Sequence, residues 1–337
     1  MFKRKTLFVV GAGASHEVGL PVGSGLTKDI ATRLQLVFDR DSITSAGDRD
    51  FTLPFFRMHQ RESLEYALAY RTVREGIVLS RSIDDFLNIH GDDPRIVLVG
   101  KSIIARAIHA AEFKSDMYVD PSNVHNQIDF NKIEQSWFVK FMRVLAPGIT
   151  VSNVENIFQN VAFIVFNYDR CIEHFLTGAL SRLYDIELSK ASEIVKTVTI
   201  IHPYGSIGSI ERVPFGISEH NPTNYVSLAS EIKTYTEQIE DKTALDQMQN
   251  CVESAECIVF LGFAYHEQNM DLLRPDKPAR KEIYGTAFGM SEADKLAVIN
   301  ELNGSFPSHS GDRVHIRINN TLTCAGQFDF FAKSLAG

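Results

Sequence analysis

The chain has 337 residues, of which 44% are hydrophobic and 23% charged. That composition excludes a disordered chain, a collagen-like chain and a coiled-coil rod, and at ~150 residues per domain the length allows about two domains, or one domain with a large insertion. A net charge of −8 argues against a dedicated nucleic-acid binder, whose affinity rests on clustered Lys and Arg, though it leaves room for a local basic patch.

The first residues imitate an export signal. Lys3, Arg4 and Lys5 precede an apolar stretch, and Ala12-Gly13-Ala14 looks like a small-residue cleavage site. The apolar run Leu7-Phe8-Val9-Val10 is short before Gly11 interrupts it. A first β-strand from Thr6 to Val10, entering a Gly-rich turn, fits it better. No run of ~18 apolar residues occurs, so no membrane span is expected, and the expected compartment is the cytoplasm. The cysteines, Cys171, Cys251, Cys257 and Cys324, contain no CxxC pair. A four-cysteine zinc site needs close pairs, so these read as buried thiols of a reducing compartment, and no metal is expected.

Farther along, Leu26, Ile30, Leu34 and Phe38 share one face of a predicted helix. Four helical patterns follow, at Glu62 to Tyr70, Ser82 to Ile89, Lys101 to Glu112 and Ser136 to Leu145, separated by turns such as HGDDP. Then come three runs like the first: Val161 to Phe166, Thr197 to Ile201 and Cys257 to Leu261. They are rich in β-branched and aromatic residues, free of charge and of buried-strand length. Strands buried on both faces belong to parallel sheets covered by helices. Short helices are expected at Lys190 to Lys196 and Ala244 to Ala255, an edge strand at Val314 to Ile318, and a C-terminal helix at Gln327 to Leu335. The predicted fold class is α/β, a Rossmann-like parallel sheet with a large helical insertion. Residues 1–38 and 150–337 form its discontinuous core, and residues 39–149 the insertion.

Each apolar run ends in a distinctive segment: GAGAS, NYDR, HPYGS and GFAYH. In open α/β sheets ligands bind beyond the carboxyl ends of the strands, so the four point to one cleft. Glycines in Gly11-Ala12-Gly13-Ala14-Ser15 permit a tight turn and close approach to a phosphate, which the following helix N-terminus can hold. A tight turn with no ligand has the same sequence. The dinucleotide fingerprint GxGxxG fails at His16, and no GKS or GKT follows, so a dehydrogenase and a P-loop ATPase are disfavoured. Asn167 is a fixed donor and acceptor, and Asp169 could accept from an amide. Both residues also cap helices and make turns. His202 titrates near neutrality and can serve as base or acid, or be structural.

In their shared order, GAGAS…GLP, NYD after a second strand, the histidine of HPYGS and LGFAYH resemble the sirtuin-like proteins. There the corresponding elements are a GAGxS…GIP turn, a QNID segment, a catalytic histidine followed by glycine, and a GTS-type strand exit. Sirtuin deacylases follow GIP with a DFR segment and carry a CxxC zinc ribbon. This chain has Val22-Gly23-Ser24-Gly25 and no CxxC. With its helical insertion containing Ser82-Ile83-Asp84-Asp85-Phe86-Leu87, it looks instead like the zinc-free NAD-consuming effectors of bacterial anti-phage defence. The resemblance implies NAD as substrate, cleaved to nicotinamide and ADP-ribose. It implies Asn167, His202 and Asp169 as catalytic residues. NAD-binding positions would be Gly11, Ala12, Gly13, Ser15, Gly19, Tyr168, Gly205, Ser206, Gly262 and Phe263. Asp84 and Asp85 read as a solvated helix start, or as a cap facing the cleft. A homo-oligomer and a separate sensor or ATPase partner are expected, with no direct nucleic-acid contact and no membrane. The alternatives are an NAD-dependent protein deacylase, a catalytically silent NAD or ADP-ribose sensor, and an oligomerisation module suggested by the 23 Phe.

Overall fold

A computed structural model describes residues 2–39, 42–120, 122, 127–216, 224–277, 280–306 and 315–337. The short apolar run at the N-terminus is a strand, β1 (Thr6–Val10), followed by the one-turn α1 (Ala12–His16) and by α2 (Gly23–Arg33). The helix expected through Phe38 stops at Arg33. Leu36–Asp39 (β2) pairs antiparallel with Ser42–Ala46 (β3) as a separate hairpin. The β-forming run Leu36-Val37-Phe38 overrides the helical spacing, while Leu26, Ile30 and Leu34 remain buried together.

The next helices are α3 (Arg49–Met58), α4 (Ser63–Gly76), α5 (Ile83–Ile89), α6 (Pro94–Lys114) and α7 (Trp137–Leu145). Each of the four expected helical segments corresponds to one of α4 to α7. Pro54 lies inside α3, which hides that helix from a sequence reading. The turn HGDDP supplies an Asp93 side-chain cap and Pro94 at the first position of α6, a start signal that begins the helix well before Lys101.

The rest of the chain alternates. It runs through β4 (Val161–Val165), α8 (Cys171–Tyr184), α9 (Leu188–Val195), β5 (Thr199–Ile201), α10 (Tyr225–Leu228), α11 (Tyr235–Glu240) and α12 (Lys242–Ser254). After these come β6 (Cys257–Leu261), α13 (Glu267–Leu272), β7 (Glu282–Thr286), α14 (Glu292–Ser305), β8 (His315–Asn319) and α15 (Cys324–Ala336). The strand β7, EIYGT, was not expected, since Glu and Gly disguise it. Val314, the first residue of the predicted last strand, lies outside the described residues. The remainder of that strand is β8, at a sheet edge as its alternation implies.

Six strands form one all-parallel sheet in the order β5-β4-β1-β6-β7-β8. Counted along the chain within the sheet, this is the doubly wound Rossmann order, whose direction reverses between β1 and β6. The sheet has a core on each face. Leu7 and Val9 of β1 belong to one apolar cluster with Phe51, Tyr70 and Ile103 of the helices α3, α4 and α6. Phe8 and Val10 belong to the other, with Phe141, Phe175 and Phe328 of α7, α8 and α15. Phe8 packs at 5.3 Å from both Phe141 and Phe163. Burying each such side chain is worth roughly 1.5–3 kcal/mol, so the strand that carries GAGAS is anchored on both sides. No helix among the described residues is long and apolar enough to cross a membrane.

Candidate functional site

Gly11 and Gly13 leave β1 directly against the exit of β6. The Gly11 amide donates to Leu261 O at 2.9 Å and the Gly13 amide to Gly262 O at 3.0 Å. A Cβ on Gly11 would stand 2.5 Å from Gly262 O, and one on Gly13 2.9 Å from Gly262 Cα. Gly262 itself has φ +55, and a Cβ there would meet Ala14 N at 2.1 Å. Thr286 Oγ1 at the end of β7 accepts from the Gly262 amide at 2.9 Å. The glycines therefore answer first to a backbone-to-backbone contact at the switch point. His16, which breaks the dinucleotide fingerprint, places Nδ1 2.9 Å from Leu20 O and closes the turn that Gly19 continues. Ala12 opens α1, whose preceding residue is Gly11.

Beside this contact three strand exits meet. Ser15 Oγ donates to Asp169 Oδ1 at 3.0 Å, and Asn167 Nδ2 donates to Ser15 Oγ at 3.2 Å. All three residues are buried. Asp169 Oδ1 also accepts from the Cys171 amide at 3.2 Å, so this carboxylate makes the turn into α8 as well as joining the cluster. Burial pushes the Asp169 carboxyl up, against the hydrogen bonds from Cys171 and Ser15. His202, after β5, places Nδ1 3.0 Å from Asn167 O and Nε2 2.9 Å from Glu173 Oε1. Burial works against charge on this ring, but Glu173, the Asn167 carbonyl and Asp169 together outweigh it and the His202 value is raised. Burial holds two other histidines, His109 and His174, at about 4.

The NYDR segment is fixed from behind by Arg170. Its guanidinium meets the fully buried Glu112 of α6 at 3.1 and 2.5 Å and donates to the carbonyls of Gly208, Val213 and Pro214. Glu112 also accepts from the Arg170 and Gly216 amides, each at 3.2 Å. One ion pair thus ties α6, the β4 exit and the loop after β5 together.

Tyr168 points to the other face of the sheet and donates to Asp84 Oδ1 in the first turn of α5. The α5 cap is Ser82, whose oxygen accepts from the Asp85 amide, so Asp84 is not the cap, and it is half-buried at the helix start. Phe263 is buried against Phe166 at 5.2 Å. Tyr204 donates to Asn269 Oδ1 at 2.6 Å, and Gly205 closes the turn with its amide on His202 O at 3.0 Å. Ser206 lines a cavity of about 1,800 Å³ together with Glu173, Arg170, Thr177 and Phe215. Ser15, Asn167, Asp169 and Gly262 do not line it.

Asp84 makes a pH prediction. Burial first, opposed by the Tyr168 hydroxyl, moves its carboxyl from the ordinary 3.8 to about 6. A folded value above the unfolded one means that the native state holds the proton more tightly. The contribution is complete at low pH and is lost as pH rises between about 4 and 7. Wild type is therefore expected to lose thermal stability across that range relative to Asp84→Asn, which cannot ionise. Parallel melting-temperature profiles for the two proteins would refute the assignment.

The structure brings the polar candidates Ser15, Asn167, Asp169 and His202 into one hydrogen-bonded group. It places Tyr168 and Phe263 in the apolar cluster on the opposite face, and Ser206 on the cavity. The sequence reading missed Glu173, Glu112, Arg170 and Thr286. Glu173 carried a weak signal as an acidic residue in the first turn of a helix directly after NYDR. Among the described residues, no three His, Cys, Asp or Glu side chains come together as a metal site. No family model matches the chain, and a comparison with curated proteins finds no match.

Proposed function

We propose that this chain cleaves NAD at the nicotinamide–ribose bond, releasing nicotinamide and ADP-ribose, as an NAD-depleting effector of bacterial anti-phage defence. The observation that carries the reading is the linked group Ser15–Asn167–Asp169–His202, drawn from three strand exits beside the switch point of a Rossmann-ordered sheet. The reaction expels neutral nicotinamide from an oxocarbenium-like sugar, as in other glycoside cleavages. What it needs from the protein is orientation and placed charge. Backbone of Gly11 to Ser15 would face the pyrophosphate. Asn167 would orient the ribose or the attacking water. Asp169 has Oδ1 committed to Ser15 and Cys171, so Oδ2 would accept from the nicotinamide carboxamide. His202 is the ionisable group beside them, and Gly262 and Phe263 shape the far side. Ser15, Asn167 and Asp169 are buried, so substrate entry requires local opening, which a homo-oligomer or a sensor or ATPase partner would control.

The test is to incubate the protein, alone and assembled, with NAD and to quantify nicotinamide and ADP-ribose. Asn167→Ala removes a preorganised donor and is expected to lower release by about 100-fold or more. No release in any oligomeric state, with Asn167→Ala indistinguishable from wild type, would end the proposal. Turnover that requires an acetyl-peptide and yields O-acetyl-ADP-ribose would identify a deacylase. Tight NAD binding without product would identify a sensor.

A further inference from the structure

The first turn of α8 carries a carboxylate to which the proposed reaction gives no part. Glu173 Oε1 stands 2.9 Å from His202 Nε2, and the other ring nitrogen stands 3.0 Å from Asn167 O. A backbone carbonyl only accepts, so Nδ1 carries a proton and donates it there. With Nε2 facing a carboxylate, the ring either holds its second proton or shares it with Glu173. Glu173 Oε2 is buried and has no hydrogen-bond partner among the described residues. An unsatisfied buried oxygen weakens a fold and asks for a reason. The contact with His202 is the reason that the geometry offers.

We propose that Glu173 is the positioning residue of this site, fixing the plane and the charge of the His202 imidazole against the backbone of Asn167. In its kinetic consequence this rests on the NAD-cleavage reading, whereas the state of the ring does not. Other charged groups bear on the pair. Asp169 faces His202 from the β4 exit and adds to the effect of Glu173. Arg170 acts on Glu173 from the preceding turn but is itself bound to Glu112. His174, the next residue on α8, is stacked on Phe215 at 4.0 Å and is held at about 4 by burial. Burial would raise the Glu173 carboxyl, but His202, a backbone hydrogen bond and Arg170 together outweigh it and hold it below the usual range.

The experiment is a side-chain NMR titration of His202 in the full-length protein, assigned against His202→Gln, in wild type, Glu173→Gln and Glu173→Asp. Wild type is expected to titrate above the ordinary 6.5, and Glu173→Gln lower than wild type by about 1–3 units, the range for loss of an adjacent opposite charge. Glu173→Asp should fall between them. The His202-dependent limb of the pH profile for NAD cleavage should move to lower pH by the same amount, with little change in KM. Identical His202 titration in wild type and Glu173→Gln would overturn the proposal. So would an activity loss by one constant factor at every pH, which a merely structural role in starting α8 would produce. If wild type releases no nicotinamide, the NAD reading fails while the ring titration still decides the role of Glu173.

Discussion

Replacing Glu112 with alanine is expected to cost about 3–5 kcal/mol of folding stability, the range for breaking a buried ion pair from one side. The Glu112 carboxylate is fully buried and the Arg170 side chain nearly so, at 0% and 2% exposure. Without the carboxylate the guanidinium keeps three backbone carbonyls but loses its counter-charge. The damage should extend to the site, because the Arg170 backbone continues directly from Asn167-Tyr168-Asp169. Glu112→Gln, which retains an acceptor without the charge, should lie between. Urea unfolding of the three proteins measures this. A Glu112→Ala loss below about 1 kcal/mol, a value typical of exposed pairs, would show that the pair does not hold this loop.

Gly262→Ala is expected to cost about 2–6 kcal/mol, adding a left-handed backbone for a non-glycine residue to overpacking. The φ of +55 and the 2.1 Å approach of a Cβ to Ala14 N make the two terms concrete. The strain falls on the joint between the β1 and β6 exits, so whatever binds there should be lost together with stability. Gly23→Ala is the control, because a Cβ there meets nothing within 4 Å, and its effect should stay within about 0.5 kcal/mol. Equal unfolding midpoints for Gly262→Ala and wild type would mean that the joint between the β1 and β6 exits does not require a glycine.

Much of the architecture was legible along the chain. Thr6 to Val10 and Cys257 to Leu261 are unbroken apolar runs because each is buried on both faces, and burial on both faces leaves a pattern in sequence. The helix ends were less legible. The spacing of Leu26, Ile30, Leu34 and Phe38 continues a helix on paper, but β2 pairs with β3 and ends it. Pro54 masked α3, and Glu282 and Gly285 masked β7, because tertiary packing tolerates residues that local propensity rejects.

For the site, residue order carried the parallel sheet, the four strand-exit segments and the polar types Asn167, Asp169 and His202 at them. These are local properties: burial sets the strands, and the loops beyond their ends are written next to them. The partners are not local. Glu173 on His202, Glu112 on Arg170, Asp84 on Tyr168 and Gly262 on Gly13 join residues that the chain separates, and a hydrogen bond or a backbone contact of that kind leaves no period in the sequence. Folding decided that Gly11 and Gly13 answer to Gly262. It also decided that Asp84, half-buried, is paired with a tyrosine hydroxyl. And it set the surroundings of the His202 ring, whose charge depends on which carboxylate the fold brings within hydrogen-bond distance.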